Sequence, residues 1–316
     1  MSSMNNPTLK KEKKPKRKLD VENLKLYSLC IIPLLMVFVF SYIPMFGIII
    51  AFKDYSFRKG IFGSKWVGLK NFELFVTSND FWKITKNTLT LNIVFIIVGT
   101  LAAVSLAVLL FRLVSRTKTK IFQTIYITPN FISWVIVAYM VYALLNPEFG
   151  LINQLFEFLG FESVDWYSRP NAWPVILTVT SVWKNVGMDS VIYYAALMAI
   201  DHTLYEAAEI DGASKWKQTR YITIPELTSL IVMLTILKIG GIFRSDFGLF
   251  YQVTRNVGAL YQTTDVVDTY IFRMMRVVGN MGLSSAAGLL QSLVGFVLVI
   301  LTNHISKKID PQSALF

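Results

Sequence analysis

Six stretches of this chain are apolar and long enough to cross a bilayer, and no other feature narrows its folding so far. They cover roughly residues 26–51, 87–111, 121–145, 172–200, 227–247 and 283–305. A helix needs about 20 mostly apolar residues to traverse the hydrocarbon layer. The second and sixth runs are the cleanest, reading NIVFIIVGTLAAVSLAVLLF and AAGLLQSLVGFVLVILTNHI, whereas charges interrupt the fourth and fifth. Lipid offers the backbone no hydrogen-bond partners, so only helices and closed barrels span it. No sustained period-2 alternation is present, and the expected fold is an all-α membrane protein with six transmembrane helices. Composition agrees: 16% of residues are charged and 54% hydrophobic, where a soluble domain carries about 25% charged residues.

The net charge of +11 invites a nucleic-acid reading, but its distribution argues against one. The densest basic stretch is a tail over residues 1–25, with Lys10, Lys11, Lys13, Lys14, Lys16, Arg17 and Lys18. No recognition-helix or zinc pattern accompanies it. A basic run directly before an apolar helix fixes that end in the cytoplasm and can touch anionic lipid. Lys and Arg then number about 17 on the cytoplasmic side against about 12 outside, the bias expected of a multi-pass protein in the cell membrane. Both termini, including the end over 307–316, are expected in the cytoplasm. The first outer connection carries Trp66, Phe72, Phe75, Phe81 and Trp82, an aromatic set suited to the headgroup region. Cys30 is the lone cysteine, so no intrachain disulfide forms, and His202 and His304 lack further ligands at metal spacing.

The most informative segment lies between the fourth and fifth runs: LYEAAEIDGASKWKQTRYITIPEL, starting at Leu204. Residues 204–210 favour a helix too short and too charged to enter the membrane. Asp211-Gly212 is a turn pair in which Gly takes positive φ without steric cost. Ser214 is placed to cap a second short helix, and Pro225 to end or kink it before the fifth run. The expected product is a helix-turn-helix on the cytoplasmic face, with Leu204, Ala207, Ala208, Ala213 and Trp216 as apolar contacts. On these physical grounds alone it is either an amphipathic connector resting on its own bundle or a small-residue surface that a partner's groove can approach, anchored by Glu206.

The spaced elements Glu206-Ala207-Ala208, Asp211-Gly212-Ala213 and Ile222 to Pro225 resemble the EAA loop of binding-protein-dependent ABC importers, here over 204–226. That family often has a second proline shortly after the first, and none follows Pro225 before the fifth run. The stretches LKIGGIFRSDFGLFY, VGALYQTTDVVDTYIFR and AAGLLQSLVGFVLVILTNHISKK are similar to polysaccharide-type sugar permeases of Gram-positive bacteria. The resemblance covers most of the chain from Leu26 and implies the six-span type I importer (MetI-like) core over 26–306. It further implies a heterodimer with a second homologous permease, two ATPase subunits and an extracellular lipid-anchored sugar-binding protein. Coupling to the ATPases would fall to Glu206, Ala207, Ala208, Asp211, Gly212, Ala213, Trp216 and Pro225.

The chain itself is expected to hydrolyse nothing. A phosphate cradle needs G-x-x-x-x-G-K-[ST], and the nearest approach, GASKWKQT, lacks the second Gly and the Lys after it. No cofactor is expected in this chain; ATP and Mg would be bound by the partner ATPases. For the solute path, the fourth run offers Ser181, Trp183, Lys184, Asn185 and Asp189, and the fifth Lys238, with Arg244 towards the outside. Ionisable groups at that depth cost about 2.5–3.5 kcal/mol on insertion scales and normally face a cavity or partner. They either line a polar path or, for Lys184 and Asp189, tie the helices together. If lysines line the path, an acidic sugar fits. An importer permease for a non-sugar solute is the main alternative. An ion-coupled secondary transporter is another, but it predicts inverted repeats, which the sequence does not show.

Overall fold

A computed structural model describes residues 21–113 and 115–309. Most of the basic tail and the end from residue 310 lie outside the described residues. The chain divides into two compact units, Met1–Ile49 and Ile50–Phe316.

In the first unit, α1 (Val21–Val37) runs into a π-turn, Phe38–Tyr42, then Ile43–Met45 and a tighter turn, Phe46–Phe52. Pro44 follows the π-turn with only Ile43 between them. A proline lacks an N–H and its ring crowds the carbonyl four residues back, and a one-residue loosening of the ladder relieves both faults. The rod is apolar on all sides, with Leu29 71% and Phe40 72% exposed, the surface expected of a lipid-facing helix.

The second unit opens with a short antiparallel pair, β1 (Lys53–Asp54) with β2 (Lys65–Trp66), in the register Lys53 to Trp66 and Asp54 to Lys65. The buried Asn71 amide, on α2 (Lys70–Val76), donates to the carbonyls of Ala51 at 2.9 Å and Lys53 at 3.0 Å and holds the pair in place. Among the aromatic residues expected at the headgroup level, Trp66 and Trp82 are exposed. Phe75 is not: it is buried in a cluster with Ile84, Val267 and Tyr270, packed by Phe81. Local composition cannot distinguish these two uses of an aromatic ring.

The long helix α3 covers Asn79–Phe111, capped by the Ser78 hydroxyl. It starts eight residues ahead of the apolar run, because the polar turn with Asp80, Lys83 and Lys86 continues the helix beyond the apolar stretch. The third apolar run is not one straight span. Arg116–Phe131 and Trp134–Leu145 meet at an angle of 98°, giving α4 (Arg116–Ile127) and α5 (Trp134–Leu145), with Pro129 in the break and Ser133 capping the second piece. A short helix, α6 (Leu151–Phe158), follows, then α7 (Trp173–Leu197). Next come α8 (His202–Ile210), α9 (Lys215–Gly240), α10 (Val267–Arg273) and α11 (Met281–Ile309).

By length and apolar character alone, Tyr27–Phe52, α3, α9 and α11 qualify as spans, with the bent pair a fifth. The helix α7, interrupted by Lys184, Asn185 and Asp189, is not among them. Its core contacts are with α3: Ala103, Val104, Ala107 and Val108 pack against Tyr193 and Leu197 of α7 and Leu227 of α9. Small residues on α3 let the backbones approach, which is how helices associate where lipid removes the hydrophobic drive. Closer still is Gly187, where a Cβ would collide with the Tyr126 carbonyl; α7 therefore crosses α4 only because that position has no side chain.

Pro225 neither ends the helix nor separates a short second elbow helix from the span. The helix runs unbroken from Lys215 to Gly240, with a π-turn at Thr219–Thr223. The Ile224 N–H reaches back five residues to Thr219, so the ladder has already shifted where Pro225 enters. At its far end the helix stops at Gly240-Gly241 rather than continuing to residue 247. The chain then turns and forms another π-turn at Gly248–Val253.

Candidate functional site

Helix periodicity puts Ser181, Asn185 and Asp189, spaced four apart, on one stripe of α7. That stripe faces a cavity of about 270 Å³ between α3, α7 and the end of α9. Its polar lining is Asn92, Ser181, Asn185, Asp189, Lys238 and Arg244, interleaved with Phe95, Ile96 and Ile242. Lys238 Nζ stands 2.7 Å from Asp189 Oδ2, with both side chains 33% exposed. The pair faces the cavity, so its charges remain partly solvated. Arg244 is exposed at the same cavity and, among the described residues, has no carboxylate within ion-pair distance. Asn185 also accepts from the Asn130 amide at 3.2 Å.

Two residues named for the path lie elsewhere. Trp183 is about 200° round the helix from Ser181, and it is exposed and not part of the cavity lining. Lys184 is buried, and its ammonium donates to the carbonyls of Pro129 at 3.2 Å, Asn130 at 2.8 Å and Ile132 at 2.6 Å. Those carbonyls belong to the stretch where α4 breaks before α5, and the Pro129 carbonyl also accepts from the Ile132 N–H at 3.2 Å. The ammonium also lies 5.1 Å from the Trp134 ring centre. Lys184 thus pins the 98° bend and does not line the cavity.

Asn92 was not singled out from the sequence, although it is a lone amide in an apolar run. Its Nδ2 donates to the Ile242 carbonyl at 2.7 Å and the Arg244 carbonyl at 3.3 Å, and lies 3.2 Å from Ser245 Oγ. It satisfies the backbone released where α9 stops, and so fixes the segment that presents Arg244.

The elbow is the second feature. Asp201 caps α8 by accepting from the Thr203 N–H at 2.9 Å, and this bond is the main reason its carboxyl lies below the usual range. The helix ends in a Schellman-type closure, with the Ala213 N–H on the Ala208 carbonyl at 2.8 Å and Gly212 at φ +72°. Ser214 caps the next helix. Across the turn Glu209 pairs with Lys215, whose hydrogen bond and charge lower the Glu209 carboxyl.

Glu206, Ala207, Asp211 and Gly212 are exposed, with Ala208 and Ala213 half-buried. Trp216 is 70% exposed and Ile210 87%, so of the two readings open from the sequence Trp216 does not follow the one in which the elbow rests on its own bundle. Tyr205 turns inward in its place, its ring 5.8 Å from Phe111 and its hydroxyl 3.0 Å from that of Thr223. Arg112, at the end of α3, bonds the Lys215 carbonyl and the Thr219 hydroxyl. Neither Tyr205 nor Arg112 carried a sequence signal beyond its proximity to the motif.

A polar cavity thus lies at the end of one long helix, and an exposed helical elbow at the start of it. Residues 95–311 match the model of the binding-protein-dependent transport system inner membrane component, and the chain belongs to that family. It is 36% identical over 304 residues (96% of this chain, 94% of the relative) to the polygalacturonan/rhamnogalacturonan transport system permease protein YteP of Bacillus subtilis. Identity to the trehalose/maltose transport system permease protein MalF of Thermococcus litoralis is 30% over 287 residues, 90% of this chain and 92% of that one. A chain in the crystal structure of a bacterial ABC transporter involved in the import of the acidic polysaccharide alginate superposes with a TM-score of 0.83. The two share 31% identity, covering 92% of this chain and 97% of that one. A second structure holds that transporter in complex with an alginate pentasaccharide-bound periplasmic protein. The fold is that of a type I ABC importer permease.

Proposed function

We propose that this chain forms half of the translocation path of an ABC importer for an acidic oligosaccharide. The observation that carries the reading is the cavity beside Asp189 and Lys238, where the exposed Arg244 forms no ion pair among the described residues. An exposed guanidinium in a partly apolar, polar-studded cavity suits a ligand with carboxylates and hydroxyls. The relatives named for polygalacturonan and alginate point to the same chemistry. A second permease would complete the path, and an extracellular sugar-binding protein would deliver the solute. Two ATPases, holding ATP and Mg, would grip the elbow over 202–218 from the cytoplasm, the side on which both termini lie. Closure of the ATPases would pull on Glu206, Ala207 and Ala208, and the Gly212 turn would pass the movement to α9. The test is to purify the chain with its partner permease, ATPases and sugar-binding protein and to measure ATP hydrolysis against a panel of oligosaccharides. Stimulation by uronate-containing oligomers and not by neutral ones is expected. Stimulation by amino acids or peptides instead would end this reading.

A further inference from the structure

A second cavity, of about 190 Å³, lies between α5 and the π-turn at Gly248–Val253 together with the turn that follows it. Its polar wall consists of Tyr139, Tyr142, Tyr251, Gln252, Arg255 and Asn256. At about 30 Å³ per water, it has room for some six waters, the scale of one sugar ring rather than a chain.

Helical spacing builds one side of this wall: Val135, Tyr139 and Tyr142 recur at four and three along α5 and so share a face. The other side is built by the π-turn, with Tyr251 and Gln252, and by the turn after it, with Arg255 and Asn256. Arg255 and Asn256 both hold positive φ, +55° and +52°. Two successive non-glycine residues rarely adopt that region, and the surroundings enforce the geometry. Val253 and Thr254 are buried, Tyr261 donates to the Asn256 side chain at 2.9 Å, and the Tyr167 hydroxyl reaches the Val253 carbonyl at 3.5 Å. Burial pushes the Tyr167 phenol up to about 12. The result presents Arg255 over the Tyr142 ring, 3.9 Å from its centre, with no carboxylate partner among the described residues.

The chemistry is specific. Tyrosine faces offer apolar area to the C–H face of a pyranose, the amides of Gln252 and Asn256 serve hydroxyls, and a planar guanidinium takes a carboxylate by two parallel bonds. The cavity is joined to the first by one stretch of chain, which carries Arg244 at the first cavity and Arg255 at the second. Leu249, Phe250 and Val253, between them, are anchored in the core. We infer that the tyrosine-lined cavity is a second saccharide subsite, holding one acidic unit of a chain whose other units occupy the first cavity. This rests on the oligosaccharide reading above.

The test uses the assembled importer, with its ATPases and binding protein, in proteoliposomes. The probes are galacturonate oligomers of one to five units and their carboxyl-reduced, neutral counterparts. For Arg255→Gln, KM for the longer acidic oligomers should rise about tenfold while that for the monomer and dimer stays unchanged; for Tyr251→Ala, longer oligomers of both series should be affected. Arg255→Lys should fall between wild type and Arg255→Gln, since it keeps the charge and loses the fork. Wild-type uptake with Arg255→Gln unchanged at every length, or impaired equally at every length, overturns the subsite and leaves the importer reading standing. Failure of the wild-type importer to take up either series while taking up another solute class overturns both.

Discussion

At the residue scale, charge in a span means different things a few positions apart. Asp189 and Lys238 answer each other across a cavity, whereas Lys184 answers three carbonyls of a broken helix. Lys184→Met should therefore lower stability by several kcal/mol, since it removes three bonds to a charged group that contribute about 1.5–3 kcal/mol each. Thermal unfolding in detergent would show it, and an unchanged transition would refute the pinning role. Asn185→Ala, by contrast, should alter uptake with little change in that transition. Replacing Asp189 alone by Asn strands Lys238, and replacing both, as D189N/K238M, removes the stranded charge. The double variant should be more stable than D189N, and a purely additive pair of losses would show that the two do not interact. Gly212→Val forces a β-branched residue into positive φ, at about 1–2 kcal/mol. Hydrolysis should continue without transport while the protein remains in the membrane; wild-type sugar uptake would refute its role as the pivot.

At the element scale, the apolar runs and the motif between the fourth and fifth were legible because both are written in adjacent residues. The 98° break was not, since Pro129 alone does not say whether a helix bends or ends, and the pinning lysine is 55 residues away. The cavity stripe was half legible: Ser181, Asn185 and Asp189 stand at helical spacing, a sieve that sets Trp183 aside. Pro225 misled, because a π-turn absorbs a proline without ending the helix, as it also does before Pro44. Arg112 ties the elbow to α3 through contacts that only the folded chain brings together. Arg112→Ala should make the peptide bonds around Gly212 more susceptible to limited proteolysis and loosen hydrolysis from uptake. Unaltered cleavage in the assembled complex would show the tie to be dispensable.

At the scale of the whole molecule, orientation decides how the parts are used. Cys30 is the lone cysteine, so a Cys30→Ser background permits single-cysteine mapping. Ile210→Cys, at a position 87% exposed on the elbow, should react with an impermeant maleimide only from the cytoplasmic side, and Glu148→Cys only from outside. The reverse pattern would turn the proposed assembly upside down.

The unbroken run from Lys215 to Gly240 has a mechanical meaning. At 1.5 Å per residue its 26 residues measure about 39 Å, with the elbow at one end and Lys238 at the other. Under the proposed assembly, a connecting rod of that kind would store little of the thrust delivered to it, so that a tilt at the crank would shift the distant cavity in the same stroke. Its one compliant joint is the loosened turn ahead of Pro225, and the crispness of the stroke is set there.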